Sequence, residues 1–191
     1  MIVAVSTWAR ATGAALALLL AALLLYASPS RAETAASAAL AQQRGKAVTQ
    51  VVLGIFSYAR WPSEPAPLRL CLIGPTEYAD DLIKGTEQNS GKPLQTRRLL
   101  ADDPQTAGAC DAVYIGKLDR GQRERLFHAL NGRPVLSISE ADDPCTVGSL
   151  FCLRVSDEQV TFEVNLDSVA RSGVRIHPSV LQLSRRRAVQ P

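Results

Sequence analysis

The 191 residues carry 21 Lys and Arg against 18 Asp and Glu, and they include four cysteines. Such balance leaves no electrostatic footprint for nucleic acid. The length suits one domain with an ample hydrophobic core.

Arg10 precedes a run from Ala11 to Ala27 that is rich in Ala and Leu and free of charge. Ser30-Arg31-Ala32 then offers a small-x-small site, and Glu33 opens a polar stretch. This is the layout of a cleavable secretory leader. Residues 1–32 are therefore expected to be removed, leaving 33–191 as a single exported domain. The competing reading is a membrane anchor, because the run approaches spanning length; the small-residue site directly behind it favours cleavage. Loss of Arg10 and Arg31 leaves 19 basic residues against 18 acidic ones.

Val48, Val51, Val52, Ile55 and Phe56 recur at helical spacing, which predicts one amphipathic helix from Ala38 to Tyr58. It should end at Trp61-Pro62, since Pro disfavours helix in the residue before it. Leu68 to Ile73 alternates and stops at Gly74-Pro75, as a strand does. A short helix capped by Thr76 should run to Lys84, followed by a strand over Leu94 to Leu99. Asp111 to Gly116 reads as a strand buried on both faces. Asp119 should cap a helix from Arg120 to Leu130, and Pro134 to Ser139 should form a further strand. Leu150 to Val155 and Val160 to Leu166, joined by Ser156-Asp157-Glu158-Gln159, read as a hairpin. A short helix from Leu166 to Arg171 closes at Gly173, and a last one covers Ser179 to Arg187. Early strand–helix alternation with a late hairpin predicts an α/β fold: a mixed, mostly parallel core sheet flanked by helices, with an antiparallel edge hairpin.

The even cysteine count in an oxidising compartment points to two disulfides. Of three pairings, Cys71–Cys110 and Cys145–Cys152 are favoured. The first joins two strands able to lie side by side, and the second closes a short loop containing Gly148. A zinc site would need a close pair such as C-x-x-C, which is absent. Cys71–Cys110 should be buried. Cys145–Cys152 should be exposed and labile, fixing the hairpin and so tuning partner binding, with Cys71–Cys110 as the alternative labile bridge if its strand pairing lies at a sheet edge.

No catalytic motif stands out, so the chain is not expected to be an enzyme, and no cofactor or metal is expected. Asp102-Asp103 and Asp142-Asp143 each precede Pro and read as turn chemistry. His128 should be solvated. Tyr58-Ala59-Arg60-Trp61-Pro62 and Val174-Arg175-Ile176-His177-Pro178 lie at element ends. Arg60, Arg175 and His177 are expected to converge on one cleft for an anionic or aromatic ligand; the alternative is that both arginines are simply solvated. Phe151 and Glu163 are expected on a partner-facing surface of the hairpin, the alternative for Phe151 being the core.

Phe56-Ser57-Tyr58-Ala59-Arg60-Trp61-Pro62, the strand Leu70 to Gly74, Cys110 to Ile115, Pro134 to Ser139 and Val160 to Leu166 follow an order that resembles the YfiR family of periplasmic proteins. The resemblance spans nearly all of residues 33–191. It implies a negative regulator that restrains an inner-membrane diguanylate cyclase of the YfiN type. It further implies an outer-membrane lipoprotein of the YfiB type that sequesters the regulator, so that cyclic-di-GMP rises and biofilm is favoured. A homodimer and a small-molecule ligand stand as further partners. Many members have Ser-Ser near the final helix where this chain has His177-Pro178, so a ligand role for His177 does not come from the family.

Overall fold

The computed structural model describes residues 29–84, 93–140, 145 and 148–185. The chain divides into two units, Met1–Leu40 and Ala41–Pro191. In the first, residues 29–40 are described and helical, and Ser37 Oγ donates to the Thr34 carbonyl at 2.9 Å. The apolar run of the expected leader, Asp142-Asp143 and the last two arginines of Arg185-Arg186-Arg187 lie outside the described residues.

Helix α1 spans Pro29–Tyr58, beginning earlier than the apolar periodicity alone indicates. Then follow β1 (Ala59–Arg60), β2 (Leu68–Ile73), α2 (Asp80–Ile83), β3 (Leu94–Leu99), α3 (Thr106–Ala109) and β4 (Ala112–Ile115). After them come α4 (Arg120–Leu130), β5 (Leu136–Ser139), β6 (Phe151–Val155), β7 (Val160–Val164), α5 (Leu166–Ser172) and β8 (Arg175–Ile176). A 3-10 turn, Pro178–Leu181, leads into α6 (Gln182–Arg185). Helix α4 starts where expected: Asp119 accepts from the Gln122 amide while Gln122 reaches back to the Asp119 amide, a reciprocal cap. Two expectations need correction. Thr76 caps nothing, since α2 begins only at Asp80 and its preceding residue is Ala79. The last helix is split, because Pro178 sits in its first turn and the His177 imidazole caps a 3-10 turn there instead.

The six-stranded sheet has the order β3-β2-β4-β5-β6-β7, parallel throughout except for the β6–β7 hairpin. This is the mostly parallel α/β sheet expected. Alternation along the strands divides the core. Leu68, Leu70, Leu72, Tyr114 and Ile138 join Val48, Val52, Ile55 and Phe56 of α1 in one buried cluster. Cys71, Ile73, Val113 and Ile115 join Leu126 and Leu130 of α4 in another. Both faces of the central strands are thus covered, which is why β4 reads as a continuous apolar run. At one edge β3 exposes Gln95, Arg97 and Arg98, and the two arginine charges blunt further strand pairing.

Candidate functional site

Residues 59–60 and 175–176 form a separate two-stranded antiparallel ribbon, with Ala59 opposite Ile176 and Arg60 opposite Arg175. Sequence reasoning missed it because two-residue strands leave no periodicity. The His177 amide donates to the Tyr58 carbonyl at 2.9 Å, extending the pairing by one bond. The Tyr58 and His177 rings stack with centroids 6.3 Å apart. The ribbon therefore brings Arg60, Arg175, His177 and Tyr58 together. Arg60 Nη1 donates to the Ser57 and Ala59 carbonyls at 2.9 and 2.7 Å, where α1 passes into β1. His177 Nδ1 accepts from the Ser179 amide at 3.2 Å, so the neutral ring carries its proton on Nε2.

The ribbon is anchored below by a junction that sequence reasoning passed over. Trp61 Nε1 donates to the Asp111 carbonyl at 2.9 Å. The Asp111 carboxylate takes a bidentate pair from Arg69 Nε and Nη2 at 2.9 and 2.6 Å, and the Arg69 amide as well. That hydrogen bonding raises the Arg69 pKa. Cys110, beside Asp111, bonds to Cys71 in β2, and this bridge is buried.

On the hairpin the two residues expected at a surface part company. Phe151 is fully buried, 5.5 Å edge-on from Phe162, so its expected exposure is corrected. The reason is that β6 is an interior strand between β5 and β7, and Phe151 shares the inner face with Leu153. Glu163 is exposed and pairs with Arg154 Nε and Nη2 at 2.8 and 2.6 Å. Cys145 bonds to Cys152, and Asn165 Nδ2 donates to the Cys145 carbonyl at 3.0 Å. Leu166 and Leu181, just beyond β7 and β8, stand 75 % and 50 % exposed, large apolar side chains that burial alone does not explain.

A third cluster lies at the carboxyl ends of the central strands. Glu140, directly after β5, is buried and accepts from Tyr114 Oη at 2.7 Å and from the Glu77 and Tyr78 amides at 2.5 and 3.3 Å. Burial raises its pKa against the lowering effect of these donors. Burial and the neighbouring Glu140 carboxylate push the Tyr114 phenol far up, and burial with the Glu77 hydrogen bond takes Tyr78 to about 12. Two phenols that stay protonated donate hydrogen bonds; they are poor bases. His128 is exposed on α4, and Asp103 Oδ1 accepts from the Gln105 amide, a turn bond. Among the described residues no group of three His, Cys, Asp or Glu is placed to hold a metal ion, and no helix is long and apolar enough to cross a membrane.

The model of the YfiR/HmsC-like family matches residues 45–185, from within α1 to the end of α6. The match takes in the sheet, the ribbon and both disulfides.

Proposed function

Because the chain belongs to the YfiR/HmsC-like family, a family of periplasmic regulators of cyclic-di-GMP signalling, we propose that it represses an inner-membrane diguanylate cyclase of the YfiN type. An outer-membrane lipoprotein of the YfiB type relieves that repression by sequestering it. The observation that carries the reading is the family match across the whole sheet and ribbon. Repression by a binding protein requires differential affinity: the regulator must bind the inactive cyclase conformation more tightly than the active one. Shifting a cyclase from 1:99 to 99:1 takes a preference of about 10⁴-fold. Leu166, Leu181 and Glu163 are exposed, and this reading assigns them to partner contact. Deletion of the gene in cells with an intact cyclase should raise cyclic-di-GMP, and restoring it should lower the level again. Unchanged cyclic-di-GMP would reject the reading.

A second reading is a small-molecule site on the ribbon. It is favoured by Arg60 standing directly opposite Arg175, a like-charge pair that costs stability unless an anion lies between. Calorimetry with aromatic carboxylates and nucleotides tests it. Heat that vanishes in Arg175→Gln supports it, and a flat titration rejects it.

A further inference from the structure

In the sheet order, β2 has β3 on one side and β4 on the other, so the winding reverses at β2. In doubly wound sheets ligands sit beyond the carboxyl ends of the strands at such a reversal. A groove of about 410 Å³ opens there, among Leu72, Pro75, Arg98, Leu99, Leu100 and Leu118. That is the size of a small-molecule pocket. The two strand ends meet there on bare backbone. Gly74 has φ +75°, and a Cβ on it would lie 2.7 Å from Leu118 Cδ2 and 2.8 Å from the Lys117 carbonyl. A Cβ on Gly116 would collide with the Pro75 carbonyl. Side chains are thereby kept out of the turns, and the groove is shaped by the residues beside them.

The walls are apolar, yet they are not closed. Leu100 is 80 % exposed at the rim, an apolar side chain left in water. The cation is Arg98, whose Nη2 donates to Thr76 Oγ1 at 2.8 Å and Nη1 to the Gly74 carbonyl at 3.3 Å. These bonds fix the guanidinium at the groove. A guanidinium has five N–H donors, so others remain for an anion. We propose that this groove binds a small amphipathic carboxylate, with its apolar tail on Leu99, Leu100 and Leu118 and its carboxylate on Arg98. Apolar walls beside one fixed guanidinium select that class over polar sugars or cations. Since β3 and β7 are opposite edges of the sheet, a ligand here leaves the Glu163 hairpin free. The inference is independent of cyclase repression.

The test titrates octanoate into the ¹⁵N-labelled protein and follows amide shifts. Saturable shifts centred on Gly74, Leu100 and Leu118, with Kd of about 1 mM or tighter, are expected. Octanamide, which has the tail without the charge, should bind at least about tenfold more weakly. Arg98→Gln should weaken octanoate by a similar factor, and Leu100→Asp should abolish binding while the spectrum stays dispersed. Three results would each overturn the proposal: no saturable shift up to about 10 mM, shifts centred on Arg60, Arg175 and His177, or equal binding of octanamide and octanoate. The octanamide comparison uses the unaltered protein, so it decides even if a variant fails to fold.

Discussion

A single aromatic ring shows how burial overrides local reading. Phe151 fills the core against Phe162, so Phe151→Ala should cost about 3–5 kcal/mol. At this chain length that lowers Tm by roughly 6–20 °C, measurable by calorimetry; an unchanged Tm would return Phe151 to the surface. The alternation Phe151-x-Leu153 held the signal for this, but it is outwardly identical in an edge strand and an interior one. Glu163 was legible, because it alternates with Phe162 and Val164 in the facing strand. Glu140 was not, since nothing in its neighbours announces that Tyr114 and the Glu77–Tyr78 turn close over it. Its raised pKa means the folded chain holds the proton more tightly than the unfolded chain. The native state is therefore favoured most below the ordinary value of 4.5, and that advantage is lost as pH rises through the raised native value. Relative to Glu140→Gln, the unaltered protein should lose Tm as pH climbs from 4.5. A difference that does not vary with pH would show that burial is not what governs this carboxyl.

Among the elements, the parallel strands were the easiest to read: β4 is an unbroken apolar run, while β2 and β5 are short alternating runs bounded by Gly and Pro or by polar residues. The hairpin was equally plain, with Ser156 and Gln159 closing it by backbone and hydroxyl bonds. The ribbon was not visible, because pairing of two residues with two depends on where the whole domain places its ends. The Arg154–Glu163 pair on the hairpin is exposed on both sides. Such pairs contribute at most about 1 kcal/mol, so Glu163→Ala should leave Tm nearly unchanged. A simultaneous loss of cyclase repression or lipoprotein capture, read by pull-down from solubilised membranes, would mark Glu163 as an interface residue. The Asp111 junction behaves differently, since one carboxylate serves Arg69 twice through its side chain and once through its amide. Asp111→Ala should cost about 1–3 kcal/mol, toward the lower end because the Arg69 side chain is 42 % exposed and screened by water. Denaturant unfolding measures it.

For the molecule as a whole, the two disulfides act on different scales. Cys71–Cys110 spans 39 residues and is buried between sheet and helix; Cys145–Cys152 spans seven. Loop-closure entropy assigns them about 4 and about 2 kcal/mol. Replacing Cys71 and Cys110 by Ser should therefore lower stability more than replacing Cys145 and Cys152. Equal losses in denaturant unfolding would show that loop length does not govern them. The fold class followed from the order of apolar runs, because strand–helix alternation leaves few ways to cover a parallel sheet. The crevice at the strand ends did not, since its walls come from Leu72, Leu99 and Leu118, which the chain brings together only through the crossed order of β2, β3 and β4.

The ribbon also sets a clock on biosynthesis. Arg60 meets Arg175, which lies 115 positions further along the chain, so its partner leaves the ribosome long after β1 does. At about 5–20 residues per second that delay is roughly 6–23 s. The last strand of the main sheet ends at Val164, ahead of Arg175 in the chain. A product cut short before Arg175 would thus carry the whole sheet and lack the ribbon with its paired arginines and stacked imidazole. The ribbon is a surface that a chain ending before Arg175 lacks, and any molecule that recognises it distinguishes such truncated copies from longer ones.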